Sequence, residues 1–375
     1  MITRKFTIIL SNYNQENYIY EAINSIIKQD HKNIELIISD DASKVFYQNK
    51  ISKYIASKRN NIELKFIINE NNIGTVATYN RCLKKVTGEY ILIFAADDRL
   101  NNEKVLSNFA QYFESNKNAM IVTSITNLYD EKFSHITRTF PNNEEKKKLK
   151  VGSAHLQNKN LYKGPFFAPG ATAYKKELFN ELKGFNNQYY LIEDWSNFLR
   201  CTRLGYKIYF MDKVTLDHRG GGVSETGSIP QKVYRAIIND THNIYKNEIF
   251  PNMHKMSKKD TIEILNRYKI YIWYYGKFNF NIFINYILVS LTNYKYFSYL
   301  IRKNILEIFT LLCSFVLSLI VSGFITNHLL FMLPIVFYIL FKLSYILVRK
   351  IIKKIRTVNK KWKKSQWCFA LIKIM

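Results

Sequence analysis

Asp97 and Asp98 stand side by side just beyond the apolar run Tyr90-Ile91-Leu92-Ile93-Phe94, separated from it by Ala95-Ala96. Two adjacent carboxylates repel, so such a pair is held by a cation or by hydrogen bonds. Mg²⁺ or Mn²⁺ bound to one or two carboxylates, with substrate phosphates completing the shell, is a recurrent arrangement. A plainer reading stays open for Asp98: it precedes Leu100-Asn101-Asn102-Glu103 and has the residue type of a helix N-cap. Two other polar clusters end apolar runs in the same manner. Ser11-Asn12-Tyr13-Asn14 follows Phe6-Thr7-Ile8-Ile9-Leu10, and Ser39-Asp40-Asp41 follows Ile34-Glu35-Leu36-Ile37-Ile38. Together the three clusters offer an aromatic ring, amides, and carboxylates suited to a hard divalent cation. Further on, Glu193-Asp194-Trp195 opens a helical pattern, where Asp194 has the type of an N-cap or of a working carboxylate, and the two roles can coexist.

These groups meet only if the three runs are parallel strands of one sheet, whose carboxyl ends form the edge where open α/β sheets bind ligands. The pattern supports this from Lys5 to about Asn127. Tyr18, Ala22, Ile23, Ile26 and Ile27 share a helical face, as do Val76, Tyr79, Leu83 and Val86, and again Val105, Leu106, Phe109, Ala110 and Phe113. Strands are expected between them at Phe6–Leu10, Ile34–Ser39, Leu64–Ile68, Tyr90–Phe94 and Met120–Thr123. Such alternation predicts a mostly parallel sheet covered by helices on both faces. Right-handed crossovers then bring every strand-to-helix loop to one edge.

Asp130 to Lys163 has little periodicity and reads as a long functional or mobile loop. Regular structure is expected to resume near Gly170–Tyr174, with a helix from Lys175 to about Gly184. The helix opened by Glu193 would bury Trp195, Phe198 and Leu199 and end at Gly205, followed by a strand at Lys207–Phe210. His218-Arg219 precedes Gly220-Gly221-Gly222, and reads equally as a diphosphate contact or lid and as a surface turn.

The ordered series Ser11–Tyr18, Ser39-Asp40-Asp41-Ala42-Ser43, Asn72-x-Gly74-x5-Asn80, Gly88-Glu89-Tyr90-Ile91, Asp97-Asp98 and Glu193-Asp194-Trp195 resembles the family 2 glycosyltransferases of the GT-A fold, over about residues 5–225. The resemblance implies an inverting transfer from a nucleotide-sugar donor. It implies that Tyr13 stacks on the base, Asp41 accepts a hydrogen bond from the base, and Asp97 contacts the ribose or the metal shell. Asp98 would bind the divalent cation (Mn²⁺ or Mg²⁺) bridging the diphosphate, and Asp194 would be the general base. A single displacement needs one carboxylate to take the acceptor's proton, and a cation on the diphosphate makes a protein acid unnecessary there. Two positions depart from the family pattern. Ala95-Ala96 leaves only the last two carboxylates of the acidic motif, which weakens the argument for metal dependence, and Leu10-Ser11-Asn12 lacks the usual proline.

The 375-residue chain carries 55 Lys+Arg against 29 Asp+Glu, a formal +26. The bias toward Lys, Asn, Ile and Tyr fits an AT-rich genome, and no nucleic-acid-binding motif occurs, so no nucleic-acid partner is expected. Cys82, Cys201, Cys313 and Cys368 lack metal or redox spacing. Met1–Lys5 passes into a strand without a signal-peptide core, so the N-terminal domain is expected in the cytosol. Two long apolar runs, Ile305–Thr326 with only Glu307 near its edge and Leu329–Val348 with only Lys342, each have the length of a membrane span. Arg302 and Lys303 flank one end; Arg349, Lys350, Lys353, Lys354 and Arg356 flank the other, so both ends of a hairpin would lie in the cytoplasm. A buried helical hairpin and a shallow re-entrant one, suggested by Pro334 and Lys342, are the alternatives.

The expected organisation is therefore an α/β, GT-A-type domain with a mostly parallel central sheet at 1–228. A helical, aromatic-rich membrane-proximal region at 229–303, a transmembrane hairpin at 304–348 and a basic cytoplasmic tail at 349–375 would follow. The expected function is transfer from a UDP-sugar to a saccharide, lipid-linked, at the anionic inner leaflet of a bacterial cytoplasmic membrane, in cell-surface polysaccharide assembly. Competing functions are transfer to a polyprenyl phosphate, whose enzymes carry a fuller acidic motif than Asp98-Arg99-Leu100, and a non-catalytic sugar-nucleotide-binding scaffold. A nucleotidyltransferase would need a Gly-rich, basic loop after the first strand, which Ser11–Asn17 does not supply.

Overall fold

The computed structural model describes residues 4–58, 61–150, 152–221 and 231–275. Within them β1 (Phe6–Asn12), β2 (Ile34–Asp40), β3 (Glu63–Ile68) and β4 (Tyr90–Ala95) run parallel in the order β3-β2-β1-β4. β1 and β2 are buried at nearly every position. Covering both faces explains why their sequences are continuously apolar rather than alternating. The crossovers are α1 (Ile19–Ile27), α2 (Gln48–Ser57) and α3 (Thr75–Leu83). α1 buries Ile19, Ala22, Ile23 and Ile26, and α4 (Val105–Ser115) buries Val105, Leu106, Phe109 and Phe113, the apolar stripe that helical spacing requires. Register decides where the loops emerge: Leu10 lies beside both Ile38 and Phe94, Asn12 beside Asp40, and Ser11 beside Ala95. The three polar clusters therefore share one edge.

Beyond α4 the expectation of a mostly parallel sheet is corrected to a mixed one. The two-residue β5 (Arg99–Leu100), β6 (Ile121–Tyr129), β7 (Ile136–Phe140), β8 (Thr172–Lys175) and β9 (Ile208–His218) complete the order β3-β2-β1-β4-β8-β6-β9-β5, with β7 on β6. β6 and β9 pair in parallel, but β4–β8, β6–β8, β6–β7 and β5–β9 are all antiparallel. The cause is a change of connection: after β6 the chain turns back on itself instead of crossing over through a helix. Asp130 fixes that turn, accepting from the Ser134 amide (2.6 Å), the Ser134 hydroxyl (2.6 Å) and the His135 amide (3.2 Å).

The stretch Asp130–Lys163 is consequently not a long loop. It holds β7, α5 (Asn143–Lys150) and α6 (Ala154–Leu161). α5 buries only Leu149, so its period is hidden among lysines, and α6 is capped by Ser153, whose hydroxyl accepts from the Leu156 amide. β9 likewise outruns the expected Lys207–Phe210, because Asp212 and Lys213 interrupt its apolar pattern at exposed positions. α7 (Lys176–Leu182) and α8 (Glu193–Arg203) follow expectation, and Trp195, Phe198 and Leu199 are buried. Cys82 and Cys201 are free, buried thiols.

The chain divides into two compact units, Met1–His254 and Lys255–Met375. α9 (Gln231–Ile244) lies near the end of the first; α10 (Lys258–Tyr275) is the described helix of the second. Among the described residues no helix is long and apolar enough to cross a membrane. The expected hairpin at 304–348, the tail at 349–375, the aromatic stretch 276–303 and Gly222 lie outside the described residues.

Candidate functional site at the carboxyl edge of the sheet

The loops after β1 and β2 are locked to each other. Asn12 Nδ2 donates to Asp40 Oδ1 (2.6 Å) and Ser43 Oγ (3.1 Å), while the Ser43 hydroxyl and amide donate to the two Asp40 oxygens (2.6 and 3.0 Å). The Asn14 amide donates to Ser43 Oγ, and the Lys44 amide to Asn14 Oδ1. Asp40 is thus a loop brace. Asp41 braces the entry to α3: its Oδ1 accepts from Asn69 Nδ2 (2.8 Å) and the Ile73 amide (2.9 Å), and its Oδ2 from the Gly74 amide (2.9 Å). Two carboxylate oxygens offer about four acceptor sites, so roughly one remains for an incoming donor. Tyr13 stands 45% exposed beside this brace, an open aromatic face at the tip of β1.

Asp98 and Asp194, far apart in sequence, line one cavity of about 380 Å³ together with Glu193, His218 and the end of β4. Gly170 forms part of its wall, where a Cβ would lie 2.8 Å from Leu216 and 3.8 Å from Asp98 Oδ2. Asp98 is 5% exposed. Its Oδ1 accepts from the Arg219 amide (3.1 Å) and lies 2.9 Å from His218 Nδ1. Asp97, on the same turn, has a buried Oδ1 with no hydrogen-bond partner. Burial, and then the charge of Asp98, push the Asp97 carboxyl up to about 6. Neither aspartate caps α4, which starts at Val105 after Lys104.

An orphaned carboxylate oxygen beside a second buried carboxylate is the environment a divalent cation relieves, so the pair fits Mg²⁺ or Mn²⁺. Among the described residues no cluster of three acidic, His or Cys side chains could hold such an ion. Its remaining ligands would be substrate oxygens and water, as is usual for Mg²⁺.

The structure separates His218 from Arg219. His218 touches Asp98 at the cavity wall, whereas the Arg219 guanidinium is committed elsewhere. It donates to Glu21 (2.6 Å) and to the Asp97 and Glu131 carbonyls (3.3 Å each), and it stacks over Phe133 and Tyr18 at 4.1 and 4.5 Å. Arg219 is therefore a clasp holding the Asp97–Asp98 turn.

Glu193 and Asp194 occupy the first turn of α8, where the N-terminal dipole favours negative charge. Asp194 is inside the helix, not its cap; the cap position is Ile192. Burial, and then the Asp194 charge, raise Glu193 well above the usual carboxylate range. Asp194 is also raised by burial, opposed by the amides of Trp195 and Asp194 itself. Glu193 therefore keeps its proton to higher pH and leaves Asp194 as the anion.

The position of this turn depends on a residue that sequence reasoning missed. Asp240 on α9, 3% exposed, accepts from the amides of Tyr190 (2.9 Å), Leu191 (2.6 Å) and Ile192 (3.0 Å), the three residues before Glu193. On the other side Tyr190 Oη donates to Asn72 Oδ1 (2.5 Å), and the Val76 amide donates to the Tyr190 carbonyl. Gly74, at φ +86, permits this approach: a Cβ there would sit 2.5 Å from the Tyr190 carbonyl. Asn80 completes the clamp, with Oδ1 accepting from the Phe185 amide (2.8 Å) and Nδ2 donating to the Phe185 carbonyl (3.0 Å). No motif surrounds Asp240; only its placement as a buried acid on an amphipathic helix could have drawn notice.

Comparison with known proteins agrees with this geometry. Residues 7–183 match the family described as Glycosyl transferase family 2. An uncharacterized glycosyltransferase of Mycoplasma genitalium, MG060, is 30% identical over 48% of this chain and 57% of its own length. The putative glycosyltransferase EpsE of Bacillus subtilis is 28% identical over 55% and 69%. The chain thus spans little more than half the length of the first of these relatives. In three dimensions it superposes on Staphylococcus aureus TarS residues 1–349 crystallised with UDP, at a TM-score of 0.52 and 20% identity, covering 77% of this chain and 81% of that one. TarS is described as a poly(ribitol-phosphate) beta-N-acetylglucosaminyltransferase. That likeness establishes a shared fold, and the match to the family described as Glycosyl transferase family 2 spans the strands and turns that carry Tyr13, Asp41, Asp97 and Asp98.

Proposed function

We propose that the protein is an inverting glycosyltransferase that moves a sugar from a UDP-sugar to a saccharide hydroxyl. The observation that carries this reading is the common cavity of Asp98 and Asp194. Tyr13 offers its exposed ring to the base, and Asp41 its remaining acceptor site. Asp98, with Asp97 behind it, would hold the divalent cation, which supplies Lewis-acid stabilisation of charge on the departing diphosphate. Asp194 takes the proton of the attacking hydroxyl, and burial, by raising its basicity, suits it to the role of general base. His218, against Asp98 Oδ1, orients that carboxylate toward the cavity. The donor assignment is supported by the fold shared with UDP-bound TarS.

The acceptor in this proposal is lipid-linked and the enzyme works at the cytoplasmic face of the membrane, in cell-surface polysaccharide assembly. The apolar runs at 305–326 and 329–348 and their basic flanks support that part.

The test is turnover of a UDP-sugar panel by membrane preparations containing wild-type protein and Asp194→Asn. The variant should lose roughly 10³-fold or more in kcat, within the range of general-base contributions, and bind UDP as tightly as wild type. Full activity in Asp194→Asn would refute the assignment of the base. A scaffold without catalysis would show UDP binding and no transfer in either protein.

A further inference from the structure

Two guanidiniums flank the turn that carries Asp97 and Asp98, and both are held by residues outside the cavity. Arg99 follows Asp98 directly, and the Arg219 amide donates to Asp98 Oδ1 (3.1 Å). Neighbouring cations repel, so something must hold them together. Glu21 on α1 bridges them, its Oε1 meeting Arg99 and its Oε2 meeting Arg219. The second link is an aromatic ring. Phe133, in the turn between β6 and β7, has its ring centre 4.2 Å from the Arg99 guanidinium and 4.1 Å from that of Arg219. Tyr129 meets the same ring edge-on at 4.7 Å.

Phe133 is held there against backbone preference. Its φ of +59 lies in the left-handed region, which glycine enters freely and a bulky side chain does not. Hydrogen bonds keep the turn in this shape: the Phe133 amide donates to the Asp130 carbonyl (3.0 Å), and the Asp130 carboxylate accepts from the amides of Ser134 and His135. A strained residue points to a use for its side chain. That use is not core packing, because the half-buried ring is not among the side chains packed on the central core. What it meets is the pair of guanidiniums. From there the route to the acidic turn is short. The Arg219 guanidinium donates to the Asp97 carbonyl, and the amide of the same residue holds Asp98. Fixing that guanidinium therefore fixes the donor that aims Asp98, beside the unpartnered Oδ1 of Asp97.

We infer that Phe133 is a positioning residue for the divalent cation: its ring, shared by Arg99 and Arg219, sets the Asp97–Asp98 turn in the geometry that binds the ion. Phe133 lies outside the cavity and acts through Arg219. The inference deepens the proposed reaction and rests on it for the role of the ion.

Mn²⁺ binding by the full chain in detergent tests it, followed by the electron-paramagnetic-resonance signal of the free ion, with and without UDP. Phe133→Leu leaves the charge unchanged and removes the ring face, and should weaken Mn²⁺ roughly fivefold or more, on the scale of two cation–π contacts. UDP affinity in EDTA should stay within about twofold of wild type, as expected of a separate site. Phe133→Tyr should recover most of the Mn²⁺ affinity. Arg99→Gln gives a second test through its sign. Removing a cation beside a cation site tightens Mn²⁺ if charge alone matters, whereas a lost clasp weakens it. Unaltered Mn²⁺ affinity in folded Phe133→Leu, or tighter binding in Arg99→Gln, overturns the inference. Equal losses of Mn²⁺ and UDP affinity in Phe133→Leu, without recovery in Phe133→Tyr, overturn it as well, because the ring would then support the fold alone. Wild type that binds UDP but no Mn²⁺ removes both the inference and the role given to the cation. Wild type that binds Mn²⁺ but not UDP, with Phe133→Leu still weakened, keeps the positioning role and removes the donor reading instead.

Discussion

The parallel half of the sheet buries carboxylates near both of its ends, and the two ends treat them in opposite ways. At the amino end Glu35 is fully buried on β2. Burial pushes its carboxyl up, but hydrogen bonds from Lys65, from the Thr7 hydroxyl (2.5 Å) and from the Thr87 amide and hydroxyl (2.9 and 2.8 Å) outweigh it, and the group is held at about 2. At the carboxyl end burial acts on Asp97, Glu193 and Asp194 with too few donors to oppose it, and all three are pushed up. Desolvation has the same sign in both places; the donor count decides the outcome. A chain that surrounds Glu35 with donors from four groups leaves Asp97 Oδ1 with none. Groups left short in a cavity are the ones a ligand completes.

The contrast breaks first at Asp98. If Asp97 Oδ1 is left without a donor because a cation and a diphosphate belong beside the Asp97–Asp98 pair, Asp98→Asn should lower kcat by roughly 10²- to 10³-fold, the scale of losing one electrostatic stabiliser. Chelation with EDTA should reduce wild-type transfer comparably, and added Mn²⁺ or Mg²⁺ should restore it. Transfer that survives EDTA unchanged would remove the cation from the account. Asp41 probes the satisfied side of the comparison. Its alanine variant strands the amides of Ile73 and Gly74 and the Asn69 side chain, at a cost of about 1–3 kcal/mol for an unsatisfied buried group. Denaturant unfolding should show that loss together with weaker UDP binding, whereas Asp98→Asn should leave stability equal to or above wild type in EDTA.

Between these extremes stands Asp240, a satisfied carboxylate that holds an unsatisfied pair in place. Asp240→Asn keeps the shape but swaps an acceptor of three amides for a weaker one, and kcat should fall about tenfold as the turn before Glu193 loosens, since small misplacement of a reacting group is costly. A second readout separates positioning from mere stability. The Asp240 charge is one of the groups raising Glu193, so its removal should lower the pH at which Glu193 gives up its proton, read from the titration profile of its ¹³C-labelled carboxyl. An unshifted profile would mean that Asp240 supports the fold alone.

The parallel half of the fold was legible in sequence, and the reason is physical. β1, β2 and β4 are covered on both faces, so their strands are apolar without interruption, and the register that brings Asn12, Asp40 and Ala95 to one edge follows from crossovers through α1 and α3. The antiparallel half was not legible. β7 is an edge strand with four of its five positions exposed, α5 buries one residue, and β9 is interrupted by Asp212 and Lys213. Periodicity reports burial, and these elements bury little. The site divides along the same line. Tyr13, Asp41, Asp97, Asp98 and Asp194 were visible because they end or begin strongly patterned elements. Asp240 lies on an amphipathic helix, but as a buried acid whose role only contacts across a long sequence separation reveal.

The smallest effect is the most direct reading of the comparison. Glu35 is held below its unfolded value, so its contribution to stability is complete above about pH 4.5 and is lost as pH falls toward 2. Asp97 has the reverse sign. Below about pH 4 it is protonated in both folded and unfolded chains and contributes no pH dependence. As pH rises from there to about 6 the unfolded chain gives up its proton while the folded chain retains it, so stability falls, and above 6 the loss is complete. In EDTA, therefore, wild-type protein should melt roughly 2–4 °C lower at pH 7 than Asp97→Asn, with the two converging near pH 4. Removing the Thr7 hydroxyl with Thr7→Val should instead weaken the protein above about pH 4.5, where Glu35 is ionised, and flatten its decline toward pH 2, so that variant and wild type converge at the acid end. Should the Asp97→Asn difference persist unchanged at pH 4, its origin would be packing rather than an uncompensated charge, and the opposition between the two ends of the sheet would lose its electrostatic basis.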